Sequence, residues 1–137
     1  MAAAYRHERA HALAAALIDD LRRDLIVPDP VLVEADSLLR ARVGPAVARS
    51  FLSSVAGGDL SVAYLTPGIL RAAAAIDERY ADLNLGLVDT TVMAVAERER
   101  APILTFDFKD FRATARRDGS AWPLVLDEAA FVRLTAR

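Results

Sequence analysis

The sequence contains no cysteine, which removes both a disulfide framework and any thiolate metal site and makes a reducing cytoplasm the expected compartment. Histidine is nearly as scarce, with two residues in 137. A zinc site built on that pair would need a carboxylate as its third protein ligand. No stretch approaches the roughly 20 apolar residues that span a bilayer. The alanine-rich start is broken by Arg6, His7, Glu8 and Arg9 before a signal peptide can develop. No membrane role is expected. An excess of positive charge is missing too: 17 Lys and Arg stand against 19 Asp and Glu, for a net charge of −2. Wholesale neutralisation of a polyanion is therefore excluded, and a polyanionic substrate would need a local basic rim or a bound cation. Internal repeats, low-complexity tracts and linkers are likewise lacking, so residues 1–137 are expected to form one domain.

The residues that are present describe a globular α/β chain. Apolar residues make up 54% and charged residues 26%, a balance that excludes disorder. Leu13, Leu17, Ile18 and Leu21 recur at helical spacing within an amphipathic region from about Arg6 to Leu25. Leu25 to Val27 is a short β-prone run closed by Pro28, after which Asp29-Pro30 reads as an N-cap followed by proline and predicts a helix to about Arg42 that stops at Gly44. Pro45 opens another helix, ended by Gly57-Gly58. Leu60 to Leu65 is a second strand, and Thr66-Pro67 caps a helix running through Tyr80. Leu85 to Glu97 is apolar on nearly every face as far as Ala96, the mark of a buried helix. Pro102 to Phe106 and Leu124 to Leu126 are third and fourth strands, with Asp107 to about Arg117 between them as a short helix or turn. Short unalternating strands separated by helices predict a parallel sheet covered by helices on both faces. In such sheets the functional crevice lies beyond the carboxyl ends of the strands.

His7-Glu8-Arg9-Ala10-His11 matches the H-E-x-x-H zinc peptidase signature, two histidines one helical turn apart around a general base. No downstream carboxylate at a recognisable spacing supplies the third ligand, and the motif begins six residues after Met1 in a charged stretch. A solvated helix face accounts for it better.

Three acids point elsewhere. Glu34 interrupts Val31-Leu32-Val33, Asp89 interrupts the most apolar segment of the chain, and Asp107 follows the strand that ends at Phe106. A carboxylate in apolar sequence costs several kcal/mol to bury alone, so it is paired, hydrogen-bonded, protonated or bound to a cation. Each has a plain structural role open to it: Glu34 as an exposed helix residue, Asp89 and Asp107 as caps of the helices that follow them. Together, a doubly wound sheet can bring them to one crevice. Hard oxygen donors without His or Cys suit Mg²⁺ or Mn²⁺ and the hydrolysis of phosphodiesters. Lys109, Arg112, Arg116 and Arg117 form the densest basic group, readable either as a solvated helix face or as an RNA-binding rim.

In order and spacing, the segments Val31 to Leu39, Gly86 to Ala94 and Ile103 to Phe111 resemble the three downstream acidic motifs of PIN domains, most closely those of the VapC toxins. The resemblance extends from about Ala2 to Leu126. It implies a PIN-like α/β fold, a Mg²⁺- or Mn²⁺-dependent endoribonuclease acting as the toxin of a type II pair, a VapB-like antitoxin as partner, and a homodimer. By motif matching it makes Glu34, Asp89 and Asp107 the catalytic, metal-binding acids, Asp110 an auxiliary acid and Thr105 a supporting hydroxyl.

One departure from the family pattern carries a structural expectation. PIN domains open with a central strand ending in an acid, and Met1 to Tyr5 resembles the helix that follows it, which places that strand and acid upstream of Met1. The strands at Leu25 to Val27 and Ile103 to Phe106 would then stand roughly 9.5 Å apart instead of about 4.7–4.9 Å, or would close up on one another. The alternative function that follows is a catalytically impaired remnant that only binds an antitoxin or its own copy.

Overall fold

The computed structural model describes residues 13, 16, 17, 19–21, 23–105 and 107–136. His7 to His11 and Met1 to Tyr5, on which the zinc reading and the N-terminal expectation rest, lie outside the described residues. Of the predicted first helix, Leu13, Ala16, Leu17 and residues 19–21 are helical. The described chain divides into two compact units: one is Arg23–Ala101, and the other consists of the described residues on either side of that span.

The Arg23–Ala101 unit is built on two parallel strands. Strand β1 (Ile26–Pro28) pairs with β2 (Ser61–Ala63) in the register Ile26↔Ser61, Val27↔Val62 and Pro28↔Ala63. Parallel strands need a long crossover. Here it is the helical pair α1 (Asp29–Arg42) and α2 (Pro45–Ala56), which pack on each other. After β2 come α3 (Pro67–Arg79), a single 3₁₀ turn at Ala81–Leu83 and α4 (Leu87–Glu99). The closest helix packing in the unit is α3 on α4, and both α1 and α4 rest on β1.

The sequence signals explain where these helices begin and end. The Thr66 side chain accepts the Ile69 N–H at 3.2 Å while Pro67 occupies a first-turn position that needs no donor, so α3 starts as expected. Gly44, at φ 141°, separates α1 from α2 in a conformation that L side chains rarely adopt. The buried helix is also as expected: α4 buries Thr90, Thr91, Met93, Ala94, Val95 and Ala96. Ala94 and Val95 join Ala63 and Ile69 in the core cluster, with Leu65 and Ile76 packed against it. By contrast α1 buries none of its 14 residues fully.

One predicted cap is corrected. Asp29 is not the N-cap of α1 but its first residue, Pro28 holds the cap position, and no side chain caps the helix. The Asp29 carboxylate instead accepts the Leu65 N–H at 2.7 Å. In a parallel pair that ends at Pro28↔Ala63, the residue after β1 lies beside the turn leaving β2, and that neighbour outcompetes the local backbone.

The second unit is held by few elements. Among the described residues the third and fourth strands shrink to one parallel bridge, Ile103↔Leu124, with Ile103 N–H donating to the Pro123 carbonyl at 2.8 Å and Val125 N–H to the Ile103 carbonyl at 3.0 Å. Helix α5 (Lys109–Ala113) is the expected short helix, whereas α6 (Glu128–Thr135) was not foreseen. Asp127 caps α6 by accepting the Ala130 N–H at 2.7 Å. The Phe108 and Phe131 rings meet at 5.6 Å with a 56° tilt. The buried Trp122 indole donates to Thr114 Oγ1 at 3.0 Å, and that hydroxyl donates to the Asp110 carbonyl at 2.8 Å. Among the described residues no helix is long and apolar enough to cross a membrane.

Candidate functional site

The three sequence-selected acids fall in different settings. Glu34 stands on the second turn of α1 and is exposed. Two residues further on, Asp36 pairs with Arg40 at 3.0 Å, and the Arg40 guanidinium is held above its usual pKa by hydrogen bond and charge from that carboxylate. Glu34 therefore carries none of the burial cost that its apolar context suggested. The apolar residues around it, Val33 and Leu38, are exposed as well.

Asp89 lies inside the first turn of α4, not at its cap, and is half-buried. The cap is Gly86, whose φ of 87° no other residue type adopts readily. Thr90 reinforces this start: its hydroxyl donates to the Gly86 carbonyl at 2.8 Å and reaches that of Leu87 at 3.3 Å. Asp89 is thus held on the best-buried helix of its unit, next to the positive end of the helix dipole.

Asp107 belongs to the second unit, between Ile103 and α5, and is exposed. The N-cap of α5 is Phe108, so Asp107 does not cap that helix either. Its backbone is clasped by Thr105, whose hydroxyl accepts the Asp107 N–H at 3.0 Å and donates to the Asp107 carbonyl at 3.0 Å. A hydroxyl two residues before the acid fixes the conformation from which its carboxylate projects.

The remaining candidates are also in this unit. Asp110 is half-buried in the first turn of α5, and Lys109 beside it is exposed. Arg112 forms an ion pair with Glu128 across to α6. Both side chains are largely exposed, so the pair contributes little stability. It does engage one cation of the basic group. Arg116 and Arg117 enter a turn in which Asp118 accepts both the hydroxyl and the N–H of Ser120, at 2.6 and 2.9 Å. These bonds hold the Asp118 carboxyl below the usual carboxylate range. Among the described residues no group of three or more His, Asp or Glu could hold a metal ion.

Sequence reasoning missed the Asp29 clasp and the Arg112–Glu128 pair. The first had a signal, an acid one step beyond a parallel strand end. The second joins residues 16 positions apart through a helix that had not been recognised.

Comparison with known proteins agrees with the motif reading. Residues 1–117 match the PIN domain family, a span that contains all three acids. Over 116 residues, 84% of this chain and 86% of the relative, the sequence is 30% identical to Ribonuclease VapC26 of Mycobacterium tuberculosis (strain ATCC 25618 / H37Rv). An α/β chain with parallel strand pairing, an acid on each of the three matching segments and a family match over most of its length belongs to the PIN-domain family, in its VapC-type branch.

Proposed function

We propose that this protein is a divalent-metal-dependent endoribonuclease, the toxin of a type II toxin–antitoxin pair, with Glu34, Asp89 and Asp107 as its metal-binding acids. The observation that carries the reading is that the family match spans the three segments on which the acids stand. Because the match runs through both compact units, we take the chain as one PIN domain. The donor chemistry fits: carboxylates alone, without thiolate or imidazole, suit Mg²⁺ or Mn²⁺. Mg²⁺ keeps several waters and is commonly bound through one or two carboxylates, so exposed acids such as Glu34 and Asp107 are reasonable donors. When bound, such an ion supplies Lewis-acid charge beside the phosphodiester and makes a water more acidic. The chain's own part is positional: α4 keeps Asp89 fixed, and Thr105 fixes the backbone of Asp107. A VapB-like antitoxin, a homodimer and a cytoplasmic setting belong to the same proposal.

The test is cleavage of a structured RNA by the purified full chain with Mg²⁺, with Mn²⁺ and with chelator. Cleavage is expected only with metal. Replacing a carboxylate that supports a metal ligand costs ten- to a hundredfold, so Asp89→Asn and Asp107→Asn should each lose about a hundredfold or more. Metal-independent cleavage, or variants as active as the wild type, would overturn the assignment. The second reading is a protein that binds an antitoxin or itself without catalysis. It gives no cleavage under any of the three conditions.

A further inference from the structure

The exposed aromatic residue at the end of β2 has no part in the reading so far. Tyr64 is the first residue after the strand and is 68% exposed, a large share for a side chain of its size. Its backbone is nevertheless held on both sides. Leu65 N–H is bound by the Asp29 carboxylate at 2.7 Å, Thr66 N–H donates to the Tyr64 carbonyl at 2.9 Å, and Thr66 caps α3. Leu65 packs against the core cluster, and the next residues, Thr66, Pro67 and Gly68, bring no large apolar side chain. Tyr64 is therefore an exposed ring on a turn whose backbone is fixed.

Its place in the fold suggests what would cover it. The parallel register ends at Pro28↔Ala63, so Tyr64 lies one step past the carboxyl end of β2 and Asp29 one step past that of β1. Adjacent strands are about 4.8 Å apart. Glu34 is five residues along α1 from Asp29, about 7.5 Å of helix rise. The ring and this candidate metal-binding acid thus belong to the same unit, linked through the carboxyl ends of the paired strands and the first turns of α1. The net charge of −2 excludes a surface that grips phosphates by positive charge overall, so contacts that need no charge have a share in holding a strand. Stacking of a base on an aromatic face is such a contact.

We propose that Tyr64 is a base-stacking platform for single-stranded RNA, holding the base of a nucleotide next to the one processed at Glu34. The proposal rests on the ribonuclease reading for its ligand. It makes Tyr64 a substrate-binding residue that the three acidic motifs do not include.

The test is a fluorescence-anisotropy titration of a labelled single-stranded oligoribonucleotide with the full chain, metal chelated so that no strand is cut, alongside cleavage kinetics in Mg²⁺. Tyr64→Ala should weaken binding about tenfold or more, while Tyr64→Phe and Tyr64→Trp stay near the wild type. The loss should appear in KM and not in kcat. The melting temperature should not move, because the ring has few contacts to lose. An oligonucleotide stripped of its bases should bind wild type and Tyr64→Ala alike. The proposal is overturned if the wild type does not bind the strand, if Tyr64→Ala binds it within twofold of the wild type, or if the defect persists on the baseless strand. It is equally overturned if Tyr64→Ala loses a protein partner while keeping its RNA affinity. Tyr64-dependent binding without metal-dependent cleavage would support the stacking and sink the ribonuclease assignment, so the two failures are separable.

Discussion

Two buried threonines in this molecule stand in opposite circumstances. Thr91, fully buried on α4, has a hydroxyl with no hydrogen-bond partner among the described residues, while Thr114 both accepts from Trp122 and donates to the Asp110 carbonyl. An unsatisfied buried polar group costs about 1–3 kcal/mol, and replacing it with an apolar group of the same shape removes that cost. Thr91→Val is therefore expected to leave stability unchanged or raise it by up to about 1–2 kcal/mol. The same substitution at Thr114 strands the indole N–H of a residue only 6% exposed and should destabilise by about 1–3 kcal/mol. Urea melts of the two variants decide this. A stabilised Thr114→Val or a strongly destabilised Thr91→Val would mean that the hydroxyls are satisfied otherwise than described.

At the scale of elements, the link from α1 to the turn after β2 depends on one carboxylate. Removing it leaves the Leu65 N–H without its charged acceptor, and hydrogen bonds to charged groups contribute about 1.5–3 kcal/mol. Asp29→Ala should lower stability by about that amount, and Asp29→Asn, which keeps an acceptor, should recover most of it. If Asn and Ala are equally damaging, the contact is electrostatic and not a directed hydrogen bond. The helices were legible in the sequence because their signals are local: Thr66-Pro67 opens α3, Pro45 opens α2, and the largely apolar segment up to Ala96, in spite of Asp89, marks α4 as buried. What the sequence concealed is non-local. The apolar run at Pro102 to Phe106 looks like the one at Leu25 to Val27, yet pairing decides how much becomes strand, and among its described residues only Ile103 forms a bridge. Asp29 matched a capping pattern but found a better partner 36 residues away. Of the candidate site, the acids could be chosen from their motifs. The clasp of Thr105 on Asp107 and the exposure of Glu34 required coordinates.

For the whole molecule, the proposed ion should act as a stabilising ligand. A ligand that binds only the folded state adds RT ln(1 + [L]/Kd), about 2.7 kcal/mol at a hundredfold excess over Kd. Mg²⁺ or Mn²⁺ should therefore raise the melting temperature of the wild type, and raise that of Asp89→Asn by clearly less. Equal shifts would show that the ions act on general surface charge, which a protein of net charge −2 also presents.

Helix α1 has no buried residue, whereas α4 has six. On the timescale of amide hydrogen exchange these two helices should behave differently. Segments with few buried contacts exchange through local opening at a fraction of the global unfolding free energy, and core helices exchange only when the whole fold opens. The deuterium-uptake pattern should show α1 opening and reclosing many times for each opening of α4. Glu34 travels with the first and Asp89 with the second. Any ion that engages both acids must hold α1 closed, so metal should slow exchange along Asp29–Arg42 far more than along Leu87–Glu99.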